Sequence, residues 1–142
     1  LNDYEIRLIS PVTNTKVSSI ATEYDNISLL GYINYDDLYT QIANFTIGIC
    51  PYAKSEFNAY RNPLKITEYF SFGIPVVSVD CDFDPKVRNL VSIAKDRADF
   101  VQMISKEINF GKKELGKMRL DYANRNCWDD RINLLENLIN KK

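Results

Sequence analysis

The chain has 142 residues, 45% of them hydrophobic and 26% charged, with a formal net charge of −1; this is enough for one globular domain with a buried core. The balanced charge excludes the basic excess of a protein that grips nucleic acid through its phosphates, so no nucleic-acid partner is expected. The absence of histidine excludes Ser-His and Cys-His catalytic pairs and any metal site that uses imidazole.

The cysteines and the apolar runs indicate the compartment. Cys50, Cys81 and Cys127 are far apart and form no CxxC pair, which predicts reduced thiols in a cytoplasmic protein and no structural zinc site. No apolar run reaches the roughly 18 residues that a membrane span needs, and no signal-peptide pattern opens the chain. Because the first residue is Leu1, we expect a piece of a longer protein.

The first part of the chain predicts two strands and a helix. Alternation and β-branched residues predict a strand over residues 4–10, followed by a polar segment, 12–25, that suits a loop or a short helix. A second strand is predicted over residues 26–33. A helix is predicted over residues 35–45, with Asn34 as its N-cap.

The middle and the end of the chain alternate between strands and helices. The short apolar run 46–52 is typical of a strand buried on both faces of a parallel sheet. A helix over 63–72, strands over 75–79 and 89–94, and a helix over 96–110 follow, and two further helices separated near Cys127 close the chain. This order predicts an α/β fold, a Rossmann-like parallel sheet flanked by helices, in one domain over residues 1–142. Trp128 is expected to pack the C-terminal helices onto the sheet.

The start of the helix over 63–72 carries an unusual charge pattern. Asn62 is a suitable N-cap and Pro63 a suitable first residue, while Gly73 suits the left-handed position after the helix. Arg61 and Lys65 nevertheless place positive charge at an end whose dipole disfavours it. A bound phosphate would reverse that effect, because it accepts the free N–H groups and pairs with the cations.

Glu68 stands three residues after Lys65 and leans toward the same helix end. Its carboxylate could accept hydrogen bonds from hydroxyls beside a bound phosphate, as in a ribose. The alternative is a simple surface pair between Lys65 and Glu68, which would stabilise the helix by about 0.2–0.5 kcal/mol.

Other motifs indicate less. The chain has neither GxGxxG nor a Walker A motif, and no cofactor is expected. Asp80, Asp82 and Asp84 follow a predicted strand, where a magnesium site is conceivable, but a solvated turn is the preferred interpretation, and we expect no metal.

Two stretches together resemble a known family. "NISLLGYINYDDLYTQIANFTIGICPY" and "NPLKITEYFSFGIPVVSVD" are similar to the nucleotide-sugar-binding half of GT-B glycosyltransferases of the "glycosyl transferases group 1" type. In that family a strand ending near Gly-Tyr precedes a helix, a strand ending in Pro, a Lys- and Glu-Tyr-bearing helix, and a G-x-P-V-V strand. The ending "YANRNCWDDRINLLENLI" also fits, and the resemblance covers roughly residues 4–140.

The resemblance implies particular roles. Glu68 would hold the ribose hydroxyls of a UDP- or GDP-linked sugar, and the diphosphate would face the segment of Asn62, Pro63 and Leu64, near Arg61 and Lys65. Tyr32 and Ile33 would contact the base. The enzyme would transfer the sugar to an acceptor in surface polysaccharide or glycoconjugate synthesis, in the cytoplasm or at the inner face of the membrane.

The chain also departs from the family. Tyr60 stands where many members carry a second glutamate that contacts the donor sugar, and the nearest acid, Glu56, is at another spacing. The family's basic pair and its acceptor-binding half would precede Leu1, so we expect this chain to bind donor without transferring it, and no catalytic residue is assigned. The alternative is a non-catalytic receiver- or flavodoxin-like module that acts through protein contacts.

Overall fold

The computed structural model describes residues 3–11, 15–53, 55–59, 64–81, 83–111 and 113–140. Within these ranges strands and helices alternate through most of the chain. The strands are β1 (Ile6–Ile9), β2 (Ile27–Gly31), β3 (Gly48–Cys50), β4 (Val76–Val79) and β5 (Ser92–Ala94). The helices are α1 (Thr15–Glu23), α2 (Tyr35–Ile42), α3 (Glu56–Ala59), α4 (Leu64–Phe70), α5 (Pro85–Arg88), α6 (Arg97–Phe110), α7 (Lys113–Asn124) and α8 (Trp128–Ile139).

The chain divides into two compact units, Leu1–Asn44 and Phe45–Lys142. In the first unit β1 and β2 pair in parallel, with Leu8 opposite Leu29, and α1 lies against β2. The Asn34 side chain accepts a hydrogen bond of 2.8 Å from the backbone N–H of Asp37, which confirms the predicted cap of α2. The polar segment predicted as a loop or short helix forms α1 from Thr15 onward, and residues 12–14 lie outside the described part.

The second unit contains a three-stranded parallel sheet in the order β3-β4-β5. Ile49 lies opposite Val77, and Val77 lies opposite Ser92. Val76, Val77 and Ser78 are fully buried, and since successive residues of a strand point to opposite faces, both faces of β4 are covered. The sequence predicted this for the apolar run before Pro51; the structure shows it most completely for β4.

Helices α4, α6 and α7 cover this sheet. Helix α6 lies against β4 and β5, and α7 lies against α4. Gly73 adopts the predicted left-handed conformation after α4, with φ of 68°. Its N–H donates to Phe70 and that of Ile74 to Tyr69, so the helix ends in a Schellman motif.

A buried polar network joins β5, α6 and α7. Arg119 is only 2% exposed; its Nε donates to the carbonyl of Leu90 at 3.1 Å, and its guanidinium lies 3.9 Å from the Glu107 carboxylate. The Ser92 hydroxyl donates to the other oxygen of that carboxylate. Burial lowers the pKa of Arg119, while the negative charge of Glu107 opposes that shift, so the network holds a charge inside the fold by giving it partners.

The last helix differs from the sequence expectation. Every residue of α8 is exposed, Trp128 by 73%, and the Trp128 ring contacts the Arg131 guanidinium of its own helix. The prediction that Trp128 packs the C-terminal helices onto the sheet is therefore wrong. Helix α7 makes that contact instead, since Ala123 belongs to the core and Tyr122 meets Phe70 edge to face at 5.9 Å.

The predicted fold class is confirmed: the chain is α/β, with parallel sheets flanked by helices as in Rossmann-like folds. The strands form two separately paired sheets, and the single domain over residues 1–142 stays a prediction. In the described ranges no helix combines the length and the apolar character needed to cross a bilayer.

Candidate functional site

The site predicted around α4 lies at the carboxyl edge of the three-stranded sheet. We call carboxyl edge the side where the three parallel strands end: β3 before Pro51, β4 before Asp80 and β5 before Lys95. In open parallel α/β sheets, ligands bind in crevices outside this edge. A binding site is therefore expected beside the elements that end there.

Contacts with β3 fix the direction of α4. The Tyr69 ring lies directly over Gly48, the first residue of β3, so closely that a Cβ on Gly48 would stand 2.4 Å from a ring carbon. At the other end, the positive charge of Lys65 acts on the thiol of Cys50, the last residue of β3. Helix α4 thus runs antiparallel to β3 and begins at the carboxyl edge.

Burial shapes the chemistry between α4 and β3. It raises the pKa of the Cys50 thiol to about 11, against smaller opposing effects of a hydrogen bond with Tyr52 and of the Lys65 charge. Burial also raises the pKa of Tyr69 to about 12, reinforced by Cys50, Glu68 and Tyr52. Both groups stay protonated at neutral pH, so Cys50 is a packed thiol rather than a nucleophile.

Lys65 and Glu68 stand one turn apart on α4. Lys65 is exposed and Glu68 half-buried, and three-residue spacing puts them on the same helix face. Among the ion pairs within the described residues, none joins Lys65 to Glu68. The surface pair offered as the alternative explanation is therefore not formed in this structure. In the first turn of α4, Leu64 and Lys65 are exposed, Leu64 by 67%, whereas Ile66 is buried.

The remaining predicted residues lie outside the described ranges or in the first unit. Arg61, Asn62 and Pro63 lie outside the described residues. Tyr32 and Ile33 belong to the first unit and follow Gly31, whose φ of 70° ends β2 in a left-handed turn. Tyr32 is 78% exposed and Ile33 half-buried, so the tyrosine ring is available to a ligand.

The acidic segment after β4 has other partners. Asp80 accepts two hydrogen bonds from the Arg88 guanidinium, and Asp84 caps α5 by accepting from the N–H of Lys86. Asp82 lies outside the described part. No group of three acidic, cysteine or histidine side chains in that part is arranged to hold a metal ion.

Sequence reasoning missed the layer beneath the site. Tyr69 lies over Gly48 and close to Cys50 and Tyr52, and these contacts anchor α4 on β3. The signal was the glycine in "TIGICPY", since a glycine inside a strand often marks the close approach of another group. A scan against models of protein families, a search of curated proteins and a search of solved structures each returned no match.

Proposed function

We propose that this chain is the nucleotide-sugar-binding part of a GT-B glycosyltransferase. One observation carries the proposal: α4 begins at the carboxyl edge of the parallel sheet, with Leu64 and Lys65 exposed and with Lys65 and Glu68 on one face. The family resembled by the sequence uses the same kind of helix, in the same order after a strand ending in proline, to hold the donor nucleotide.

Each residue would contact the part of the donor that suits its chemistry. The Lys65 ammonium supplies positive charge for the diphosphate, and the N–H groups of the first turn of α4, which have no partner within the helix, supply hydrogen-bond donors. Glu68 accepts hydrogen bonds from the two ribose hydroxyls. The family resemblance gives Tyr32 the role of contacting the base and Arg61 that of the second cation for the diphosphate.

This arrangement suits sugar transfer because the nucleoside diphosphate is the leaving group. Negative charge builds up on the diphosphate as the bond to the sugar carbon breaks, and fixed donors and cations placed there stabilise it. The acceptor hydroxyl would come from another part of the enzyme, acting in the cytoplasm or at the inner face of the membrane. Nothing at the end of β3, which closes with Pro51 and Tyr52, favours a receiver-like module, which needs an aspartate at the end of a central strand.

Removing the charge of Glu68 should weaken nucleotide binding without unfolding the chain. We expect Glu68→Gln to reduce the affinity for UDP or GDP by about 1–3 kcal/mol, the range for hydrogen bonds to a charged group. Isothermal titration calorimetry measures the loss, and 2′-deoxy analogues should show a smaller difference between the two proteins because one of the two ribose hydroxyls that Glu68 accepts from is missing. Amide shifts on titration should centre on Leu64 to Glu68.

Glu136→Gln is the matched control, since Glu136 is an exposed glutamate on α8, far along the chain from α4, and it should leave binding unchanged. Equal affinity of the Glu68→Gln variant and the original chain for both ribonucleotides would remove the proposed role of Glu68. Amide shifts confined to residues remote from the carboxyl edge would reject the site itself.

A further inference from the structure

A cleft separate from the site proposed on α4 opens at the carboxyl edge, between the ends of β4 and β5. It has a volume of about 600 Å³, within the range of roughly 300–1,000 Å³ typical of small-molecule sites. Its lining comprises Asp80, Arg88, Val91, Ile93, Ala94 and Lys95. None of these residues belongs to the site proposed on α4.

The charged groups of this cleft are held by hydrogen bonds. Arg88 donates from both terminal nitrogens to the two oxygens of Asp80, at 2.8 and 2.5 Å, which fixes the guanidinium plane. The backbone N–H of Lys95 donates to the Asp99 carboxylate at 2.9 Å. The cations therefore stand on anchored segments after β4 and β5 rather than on free loops.

The charge of the lining is positive. Arg88 and Lys95 contribute two positive charges and Asp80 one negative charge, so the side chains that line the cleft carry a net charge of +1. Planar guanidinium groups recognise carboxylates and phosphates through paired N–H donors. The floor is apolar, formed by Val91, Ile93 and Ala94, and suits a ligand with a charged group at one end.

An ordinary surface ion pair explains only part of this arrangement. The Arg88–Asp80 pair is exposed, and such pairs form on many protein surfaces with little effect on stability. The pair by itself does not account for a concave shape, for an apolar floor or for a second cation delivered by the neighbouring strand. These three features together describe a binding site.

We propose that the cleft between β4 and β5 binds a small molecule bearing one compact oxyanion, a phosphate or carboxylate group, with an apolar body against Val91, Ile93 and Ala94. Lys95 and the N–H groups of Arg88 that are not directed at Asp80 hold the oxyanion, and Asp80 orients Arg88. This site goes beyond the proposed donor site, because it uses different side chains and would exist whether or not α4 binds a nucleotide.

Phenyl phosphate tests the proposal, with benzoate, inorganic phosphate and phenol as companion probes. Titrations followed by amide chemical shifts should show that phenyl phosphate and benzoate perturb the amides of Asp80, Ile93 and Lys95. Inorganic phosphate should bind there more weakly because it lacks the apolar body, and phenol should not bind because it lacks the charge. Lys95→Ala should weaken phenyl phosphate binding by about tenfold, as expected for loss of one charge-assisted contact.

Lys106→Ala is the matched control, since Lys106 is an exposed lysine on α6. This variant should bind phenyl phosphate as tightly as the original chain. Arg88→Lys keeps the charge but removes the planar fork, so it should also weaken binding. Binding that is insensitive to Lys95→Ala, or equal binding of phenol and phenyl phosphate, would overturn the proposal. Shifts centred on Leu64 to Glu68 would also overturn it, while leaving the donor site intact.

Discussion

The two units of the chain bury their strands to different depths. In the second unit β4 has three consecutive residues with no measurable exposure, Val76, Val77 and Ser78, and helices contribute Ile66, Phe70 and Ala123 to the same core. In the first unit no residue of β1 or β2 is classed as buried. Both sheets are parallel and rich in aliphatic residues, so the amino-acid composition of the strands does not by itself determine how deeply they are buried.

The difference follows from how many helices cover each sheet. Helices α4, α6 and α7 supply large side chains to the three-stranded sheet, whereas α1, the helix packed on β2, has no buried residue. Apolar burial contributes roughly 25 cal/mol per Å², so most of the stabilisation lies in the second unit. Three predictions test this contrast, beginning with the largest expected effect.

Truncation of Phe70 should expose the contrast most strongly. Phe70 is fully buried and meets Tyr122 edge to face, so Phe70→Ala should lower the free energy of unfolding by about 3–5 kcal/mol. Leu29→Ala, in the half-buried β2, should cost about 1–2 kcal/mol, because less apolar area is removed from a partly solvated site. Urea unfolding followed by circular dichroism measures both. Equal losses would mean that the two units contribute comparably.

A methyl group at Gly48 should cost about 3 kcal/mol, near the upper end of the usual range for overpacking. Its Cβ would stand 2.4–2.7 Å from three carbons of the Tyr69 ring, and that ring is held between α4 and β3. Gly31→Ala is the control in the first unit. Nothing lies within 4 Å of that Cβ, so only the left-handed backbone is strained, at about 1–2 kcal/mol.

Alkaline pH should destabilise the second unit through Cys50. Its pKa is raised from 9.0 to about 11 by burial, so between these values the unfolded chain loses the thiol proton while the folded chain keeps it. The contribution is fully present below pH 9 and is lost as the pH rises to about 11, by on the order of 2 kcal/mol.

Urea midpoints measured from pH 8 to 11 should therefore fall more steeply for the original chain than for Cys50→Ala. Cys127→Ser serves as the control because Cys127 is exposed, and it should keep the steep fall. If the urea midpoint of Cys50→Ala fell with pH as steeply as that of the original chain, the loss of stability at alkaline pH would come from other groups.

Much of the fold follows from local sequence signals. In the described residues, periodicity and caps predicted the five strands and the helices after β2 that are longer than one turn to within a few residues. Caps such as Asn34 and Gly73 can be predicted because they depend only on residues next to them in the chain. The four-residue helices α3 and α5 were missed, because one turn is too short to show a period. The separate pairing of the two sheets and the exposure of α8 depend on contacts between distant segments, which a pattern along one element does not contain.

The part of the site that depends on residues of a single helix could be predicted from the sequence. The part that depends on contacts between different elements could not. Lys65 was singled out because it opposes the helix dipole, and Glu68 because it follows three residues later and leans toward the same helix end. Tyr69 over Gly48 and the Arg88–Asp80 pair, in contrast, join residues from different elements. The burial of Arg119 had a readable signal. Arg119 lies four residues after Leu115, three before Tyr122 and four before Ala123, so all four share one helix face. A charged residue in the middle of an apolar helix face indicates that the charge is buried.

The approach of Gly73 to Gly116 has a consequence for how freely the sequence can vary. A Cβ on Gly73 would stand 3.2 Å from the carbonyl oxygen of Gly116, and one on Gly116 would stand 3.4 Å from that of Gly73. Helices α4 and α7 therefore meet here main chain to main chain, and no rotamer change can take up a shift. This contact fixes the end of α4 through the backbone rather than through side chains. Exposed positions of both helices can accordingly diverge while Lys65 and Glu68 keep their distance from the carboxyl edge.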